Sequence, residues 1–304
     1  MNDVPIVFCD SVCAISERSS LDSISPVLTS SWGASAAKSL NDRVPVCLSL
    51  SHSRNAWSYS IGKWTDWPRG RQFMSFAALK RIDRRHLQVV SVVLASTPGE
   101  HHRPSSLEEI FQIVHFTLPF LIRPNLTTYS NPEFPGDVFD SLLSLYQEKR
   151  FNGLLLESDN RAQNEFLKLQ LLGDDLQHVL LRGMTWTSDV RLAIEEFVLT
   201  KPFITAHCNY YVSTKLFFEQ LFAKPLVGKN SVIRAGFSFD LQELYEFKED
   251  IQDPAGKENS EDQLRIVWKR DDAVRITAHS SQDIFHSDSN EAFKILSLRF
   301  QTER

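Results

Sequence analysis

The chain has 304 residues, of which 42% are apolar and 23% charged, and its net charge is −5 at neutral pH. That balance belongs to a folded chain with ample material for a core, and the acidic excess argues against a general nucleic-acid binder, which would carry a basic field. No stretch offers the roughly 18 consecutive apolar residues of a membrane helix, no basic residue precedes the first apolar residues as in a secretory signal, and four cysteines, Cys9, Cys13, Cys47 and Cys208, are too few for a disulfide framework.

Residues 1–45 read as a helical unit. Val4-Pro5 opens it, and Phe8, Val12 and Ile15 follow at helical spacing, so they share a face. A polar run, Ser16 to Ser20, interrupts the pattern. Leu21, Ile24 and Leu28 resume it up to Trp32, and Ala34 to Leu40 suggests a third short helix. A hairpin is expected over 46–61: Val46, Leu48 and Leu50 alternate before the polar turn His52 to Asn55, and Trp57, Tyr59 and Ile61 alternate after it. Trp64 to Arg71, with Pro68 and Gly70, reads as an irregular loop, and Phe73, Phe76, Leu79 and Lys80 as a short helix. Residues 46–86 together form a connecting segment.

From 87 to 250 the chain repeats itself. Short apolar segments begin at Leu87, Leu126, Phe151, Leu176, Phe203 and Val232, separated by 39, 25, 25, 27 and 29 residues. Most place apolar residues at the start, three on and five on: Leu87-Val90-Val92, Phe151-Leu154-Leu156, Leu176-Val179-Leu181, Phe203-Ala206-Cys208 and Val232-Ala235-Phe237. Helical stripes lie between them, as in Leu107-Ile110-Phe111-Val114, Val138-Leu142-Leu145-Tyr146, Val190-Ile194-Phe197-Val198 and Leu216-Phe217-Leu221-Phe222. Ser105 or Ser106 before Glu108-Glu109, and Thr187 or Ser188 before Asp189, supply cap chemistry. A strand and a helix per 20–29 residues or so is the period of a leucine-rich-repeat solenoid. Three residues beyond the third apolar position stand Ala95, Asp159, Met184 and Tyr211 instead of asparagine, so an irregular array is expected. Such stacks present an extended surface and usually bind proteins.

Residues 251–304 complete the chain. Gln252 to Gln263 reads as a mobile loop. Leu264-Ile266-Trp268 and Val274-Ile276-Ala278 alternate around Asp271-Asp272 as a second hairpin, and Leu296-Leu298-Phe300 as a last strand capping the array. The fold class expected is therefore α/β: an irregular leucine-rich-repeat-like solenoid, a helical N-terminal unit and peripheral β-hairpins.

The N-terminal unit resembles a divergent F-box, a three-helix module opening on a Leu-Pro-like dipeptide and closing near a Trp. The matching residues are Val4-Pro5, Phe8, Val12, Leu28 and Ser31-Trp32. With the blocks "VPIVFCDSV", "SLEEIFQIVHFTLPFL" and "AIEEFVLTKP", the whole chain is similar to the divergent F-box and F-box-associated families of nematodes. The resemblance implies a non-catalytic substrate receptor of a cullin-type ubiquitin ligase. It makes Val4, Pro5, Phe8, Val12 and Trp32 candidates for docking a Skp-type adaptor, with a target protein on the repeats. The same five residues would serve equally to pack the N-terminal helices as a cap on the first repeat, since aromatic anchors of interfaces and of cores look alike in sequence.

Catalytic and metal chemistry leaves little trace. Cys9 and Cys13 share a helix face without a second ligand pair, so no metal site is expected and both read as buried thiols. His101-His102 is adjacent, so the rings diverge, and His207-Cys208 alternates across a strand. No nucleophile elbow or phosphate-binding glycine loop occurs, and no cofactor is expected. Carboxylate pairs such as Glu108-Glu109, Asp174-Asp175 and Glu195-Glu196 read as solvated charge. Two basic clusters remain, Lys80 to His86 and Trp64-Trp67-Arg69-Arg71. A solvated face or a protein contact suits them better than a single-stranded nucleic acid, because Asp66 and Asp83 dilute them in an acidic chain. A repeat scaffold without a ligase link and a nucleic-acid binder are the alternatives to the ligase receptor. With few cysteines and no signal, the expectation is a cytoplasmic or nuclear protein, in which the sequon at Asn125 would carry no glycan.

Overall fold

The computed structural model describes residues 4–16, 21, 23, 31–63, 72–95, 97–157, 160–182, 186–201, 205–212, 215–223, 231–237, 265–271, 274–286 and 292–302. The chain is mixed α/β with a mostly open sheet, and it divides into two compact units, Met1–Phe151 and Asn152–Arg304. The division falls inside the stretch read as the repeat array.

The first unit runs α1 (Ile6–Ile15), α2 (Ser31–Asp42), β1 (Val44–Ser53), β2 (Ala56–Lys63), β3 (Gln72–Met74), α3 (Phe76–Leu79), β4 (Leu87–Leu94), β5 (Arg103–Ser105), α4 (Leu107–Thr117), a 3-10 turn (Leu118–Phe120), β6 (Leu121–Thr128) and α5 (Gly136–Tyr146). Its sheet order is β6-β4-β1-β2-β3, with β5 on the same edge of β2 as β3. β1, β4 and β6 are parallel, and β2 returns antiparallel to β1. The hairpin turn is shorter than the sequence suggests. Only Arg54 and Asn55 form it, with φ of 52° and 61°, the left-handed pair that matches the twist of a two-residue hairpin. Val46, Leu48 and Leu50 are buried as their alternation requires, but Cys47 and Ser51 on the other face are buried too. β1 is therefore a central strand covered on both faces.

Two short strands were not legible as such. Phe73 lies in β3, and α3 begins after Ser75, whose hydroxyl accepts from the Ala78 N–H at 3.2 Å. β5 follows directly on His101-His102, where the sequence shows no strand alternation. In α4 the cap is Ser106, which accepts from the Glu109 N–H, while the Ser105 hydroxyl donates to the Glu109 carboxylate at 2.8 Å. The segment expected at Leu126 is a strand beginning five residues earlier, at Leu121, with Leu126 opposite Val92 of β4.

The second unit runs β7 (Gly153–Leu156), α6 (Arg161–Leu171), β8 (His178–Leu181), α7 (Ser188–Thr200), β9 (Thr205–Val212), α8 (Lys215–Ala223), β10 (Ser231–Phe237), β11 (Arg265–Asp271), β12 (Val274–His286) and β13 (Ala292–Thr302). β7, β8, β9 and β10 lie side by side, parallel and in chain order, and β13, β12 and β11 continue the sheet antiparallel beyond β10. Phe151, Leu154 and Leu156, and Leu176, Val179 and Leu181, are all buried. Ladder columns run Leu154-Val179-Ala206-Ile233 and Leu156-Leu181-Cys208-Ala235. The last of these strands is therefore displaced by two residues from the match expected in the sequence: Ile233, not Ala235, stands beside Ala206. A slip of two keeps every side chain on its own face, so the apolar pattern cannot detect it.

Ion pairs join equivalent positions of successive strand–helix units. Glu157, just after β7, meets Arg182, just after β8, at 2.7 Å, and Asp174 meets Lys201 at 2.6 Å. Lys168 of α6 bonds Asp189 of α7. The loop expected over Gln252 to Gln263, the asparagine-equivalent positions Asp159 and Met184, and the cluster Trp64 to Arg71 all lie outside the described residues.

Candidate interaction surface

The N-terminal helix α1 has two unlike faces. Cys9 and Cys13, one turn apart, point inward and are essentially unexposed. Cys13 packs with Leu21 and Ala36, against which Trp32 and Leu40 also lie. The Cys9 thiol lies 3.8 Å from the Ser31 hydroxyl. Burial, with Cys9 and Asp10 adding to it and Arg43 opposing it, holds the Cys13 thiol above its ordinary range, so it is a packing group and not a reactive thiolate. The last turn of α1 is closed from outside the helix: the Cys13 carbonyl accepts from the Ser39 hydroxyl at 3.1 Å and from the Arg43 guanidinium at 2.9 Å, and Arg43 also bonds the Ser16 carbonyl. A cation there satisfies orphan carbonyls and complements the helix dipole.

The opposite face of α1 is bare. Pro5 occupies the N-cap position, and Ile6, Val7 and Phe8 follow with 57%, 72% and 55% of their surface exposed. Three consecutive apolar residues span too wide an arc of a helix to face one core. Phe8 rests edge-on against Trp32 with ring centroids 6.0 Å apart. Of the five residues singled out in the sequence, Pro5 and Phe8 are exposed, and Val4, Val12 and Trp32 are half-buried. Phe8 and Trp32 are brought together. The expected shared face of Phe8, Val12 and Ile15 is not the inward one: the Cys9–Cys13 stripe takes that place, and the side chain of Ile15 lies outside the described residues. Ile6 and Val7 were missed, although the unbroken run Ile6-Val7-Phe8 was the signal. Asp10, one turn beyond Ile6 and Val7, lies 3.9 Å from Lys38 and gives this patch a polar rim.

A second cluster sits on the first sheet. The Ser51 hydroxyl lies 2.9 Å from His102 Nδ1 and 2.6 Å from the Ser58 hydroxyl, and Ser49 lies 3.5 Å from Nε2. His101 turns the other way and stacks on Phe73 at 3.9 Å, as adjacent side chains must. A serine beside a histidine suggests a nucleophile, but Ser51 is wholly buried. The cluster instead fastens β5 and its preceding loop to β1 and β2. Beside it, Glu133 binds the hairpin tip: its carboxylate accepts from the Arg54 N–H at 2.7 Å, which with the Ser53 hydroxyl holds it below its ordinary pKa range. Among the described residues no group of three or more His, Cys, Asp or Glu is placed to hold a metal ion, and no helix is long and apolar enough to cross a membrane.

No family model, curated protein or solved structure matches this chain.

Proposed function

We propose that this chain is a non-catalytic interaction protein whose N-terminal helical unit docks a Skp-type adaptor and whose strand–helix stack holds a target protein for ubiquitin transfer by other subunits. In this reading the parallel strand–helix units form an irregular leucine-rich-repeat-like solenoid, and residues 1–45 an F-box-like unit. The observation that carries it is the exposed Ile6-Val7-Phe8 run on a helix whose other face is already packed. Each of these side chains is a little over half exposed or more, so covering them with a partner's apolar helices contributes roughly 1–2 kcal/mol apiece before the costs of association. The recurring ion pairs between successive units support the stacked reading.

The test is co-purification of the full chain with a Skp-type adaptor, comparing wild type, Val7→Asp, Phe8→Asp and Leu172→Asp. Val7 is 72% exposed and lies in the first turn of α1, where a carboxylate complements the helix dipole, so Val7→Asp removes the apolar contact without harming the helix. Leu172 is 82% exposed and serves as the control. The expected result is adaptor retained by wild type and Leu172→Asp and lost by the other two. Absence of adaptor with the wild-type chain at micromolar protein removes the ligase link and leaves an interaction scaffold.

A further inference from the structure

The turn between α3 and β4 carries a charge excess that the docking helix does not use. Residues 76–86 hold Lys80, Arg81, Arg84 and Arg85 against one carboxylate, Asp83. Arg85 neutralises that carboxylate itself, through its own N–H at 3.0 Å and guanidinium contacts at 3.2, 3.1 and 2.6 Å. Lys80, Arg81 and Arg84 are exposed and make no ion pair among the described residues. The backbone of Lys80 and Arg81 is fixed by bonds from Lys80 N to the Phe76 carbonyl at 3.0 Å and Arg81 N to the Ala78 carbonyl at 3.1 Å, and the turn that carries Arg84 by His86 N to the Asp83 carbonyl at 2.9 Å.

Two of the three side chains are also held in place. The Lys80 ammonium lies 4.0 Å above the Phe76 ring, and the Arg84 guanidinium 5.5 Å from the Phe116 ring. Phe76 and Phe116 meet edge-on at 5.7 Å, and Phe116 and Phe120 lie 5.7 Å apart, so the cations stand on an aromatic floor. Cation–π contact places the charges before any partner arrives, which lowers the entropy lost on binding. The same contact decides the kind of partner. A single-stranded nucleic acid binds by stacking bases on free aromatic faces. Here Phe76 is 5% exposed, the Arg84 guanidinium lies over the Phe116 ring, and Phe116 and Phe120 are half-buried, so no ring of the floor is fully exposed. Lys80, Arg81 and Arg84 are themselves exposed, and exposed guanidinium and ammonium donors suit carboxylates.

We propose that Lys80, Arg81 and Arg84 form a docking patch for a Glu/Asp-rich peptide segment of a protein partner. The patch is independent of the adaptor reading, and its test does not involve the N-terminal helix. Fluorescence anisotropy on the full chain would use three probes: a short Glu/Asp-rich peptide, its Gln/Asn counterpart, and a single-stranded oligouridylate of the same charge as the acidic peptide. The expected result is binding of the acidic peptide that exceeds the oligouridylate and vanishes for the neutral peptide. Lys80→Gln with Arg84→Gln should weaken it at least ~10-fold, and Arg84→Lys, which keeps the charge but loses the planar fork, about 3-fold. Stronger binding of the oligouridylate would overturn the proposal in favour of nucleic acid. An unchanged affinity in Arg84→Lys would reduce the patch to a diffuse basic field and overturn specific docking. No peptide binding at low salt, where such contacts are least screened, would overturn it outright.

Discussion

Ser51 and His102 are 51 residues apart, and their hydrogen bond ties an edge segment to the centre of the first sheet. Removing the buried hydroxyl by Ser51→Ala is expected to cost about 1–2 kcal/mol, read from the urea midpoint at neutral pH. The imidazole adds a pH dependence whose sign follows from burial, which holds its pKa below the usual 6.5. The unfolded chain then takes up a proton that the folded chain resists, so this contribution is complete above about 6.5 and is lost as pH falls through the folded value. The urea midpoint should therefore be lower at pH 5.5 than at pH 7.5. In His102→Gln the difference should shrink but persist, because burial lowers His178 in the same direction. An undiminished difference in that variant would remove His102 from the account. None of this was legible in the His101-His102 dipeptide. The sequence foretold that the rings diverge, but their partners, Phe73 and Ser51, are supplied by distant strands.

At the scale of elements, the apolar stripes found α4, α5, α7 and α8, and in α7 all four expected residues, Val190, Ile194, Phe197 and Val198, are buried. In α8 the stripe errs at one end, since Leu216 is 59% exposed while Phe218 is buried. α6 escaped notice because its inward face mixes Phe166, Leu167 and Leu171 with Gln163, Asn164 and Gln170, all buried. Polar residues on the core side erase the 3.6-residue contrast on which the reading depends. What starts this helix is local chemistry: the Asn160 side-chain oxygen accepts from the Gln163 N–H at 2.8 Å. Asn160→Ala should cost about 1 kcal/mol, measured by denaturant unfolding, while Asn160→Asp should retain most of the stability. Equal loss in both would show that the cap is not what holds this end.

Over the whole molecule, acid sensitivity gathers from exposed pairs. Hydrogen bonds from Arg85 hold the Asp83 carboxyl at about 2, against an ordinary value of 3.8. Those from Lys168 and Thr187 do the same for Asp189, again to about 2 from 3.8. Folded-state carboxylates with depressed pKa stabilise above the unfolded value and lose that contribution as pH falls toward the folded one. Melting temperature should therefore drop between about pH 4 and pH 2, and Asp189→Asn should flatten part of that fall. A parallel curve in the variant would make the Lys168 pair irrelevant to stability, as many surface pairs are. The sequence by itself determined the alternation of strands and helices, both hairpins, the last strand and the burial of the cysteine pair, because periodicity and turn chemistry are local properties of the chain. Only the tertiary structure decided the two-residue offset at β10, the division after Phe151, the covering of both faces of β1 and the exposure of Ile6 and Val7. Each of these depends on which distant segment lies opposite, and a pattern of apolar residues says which face is buried but not what buries it.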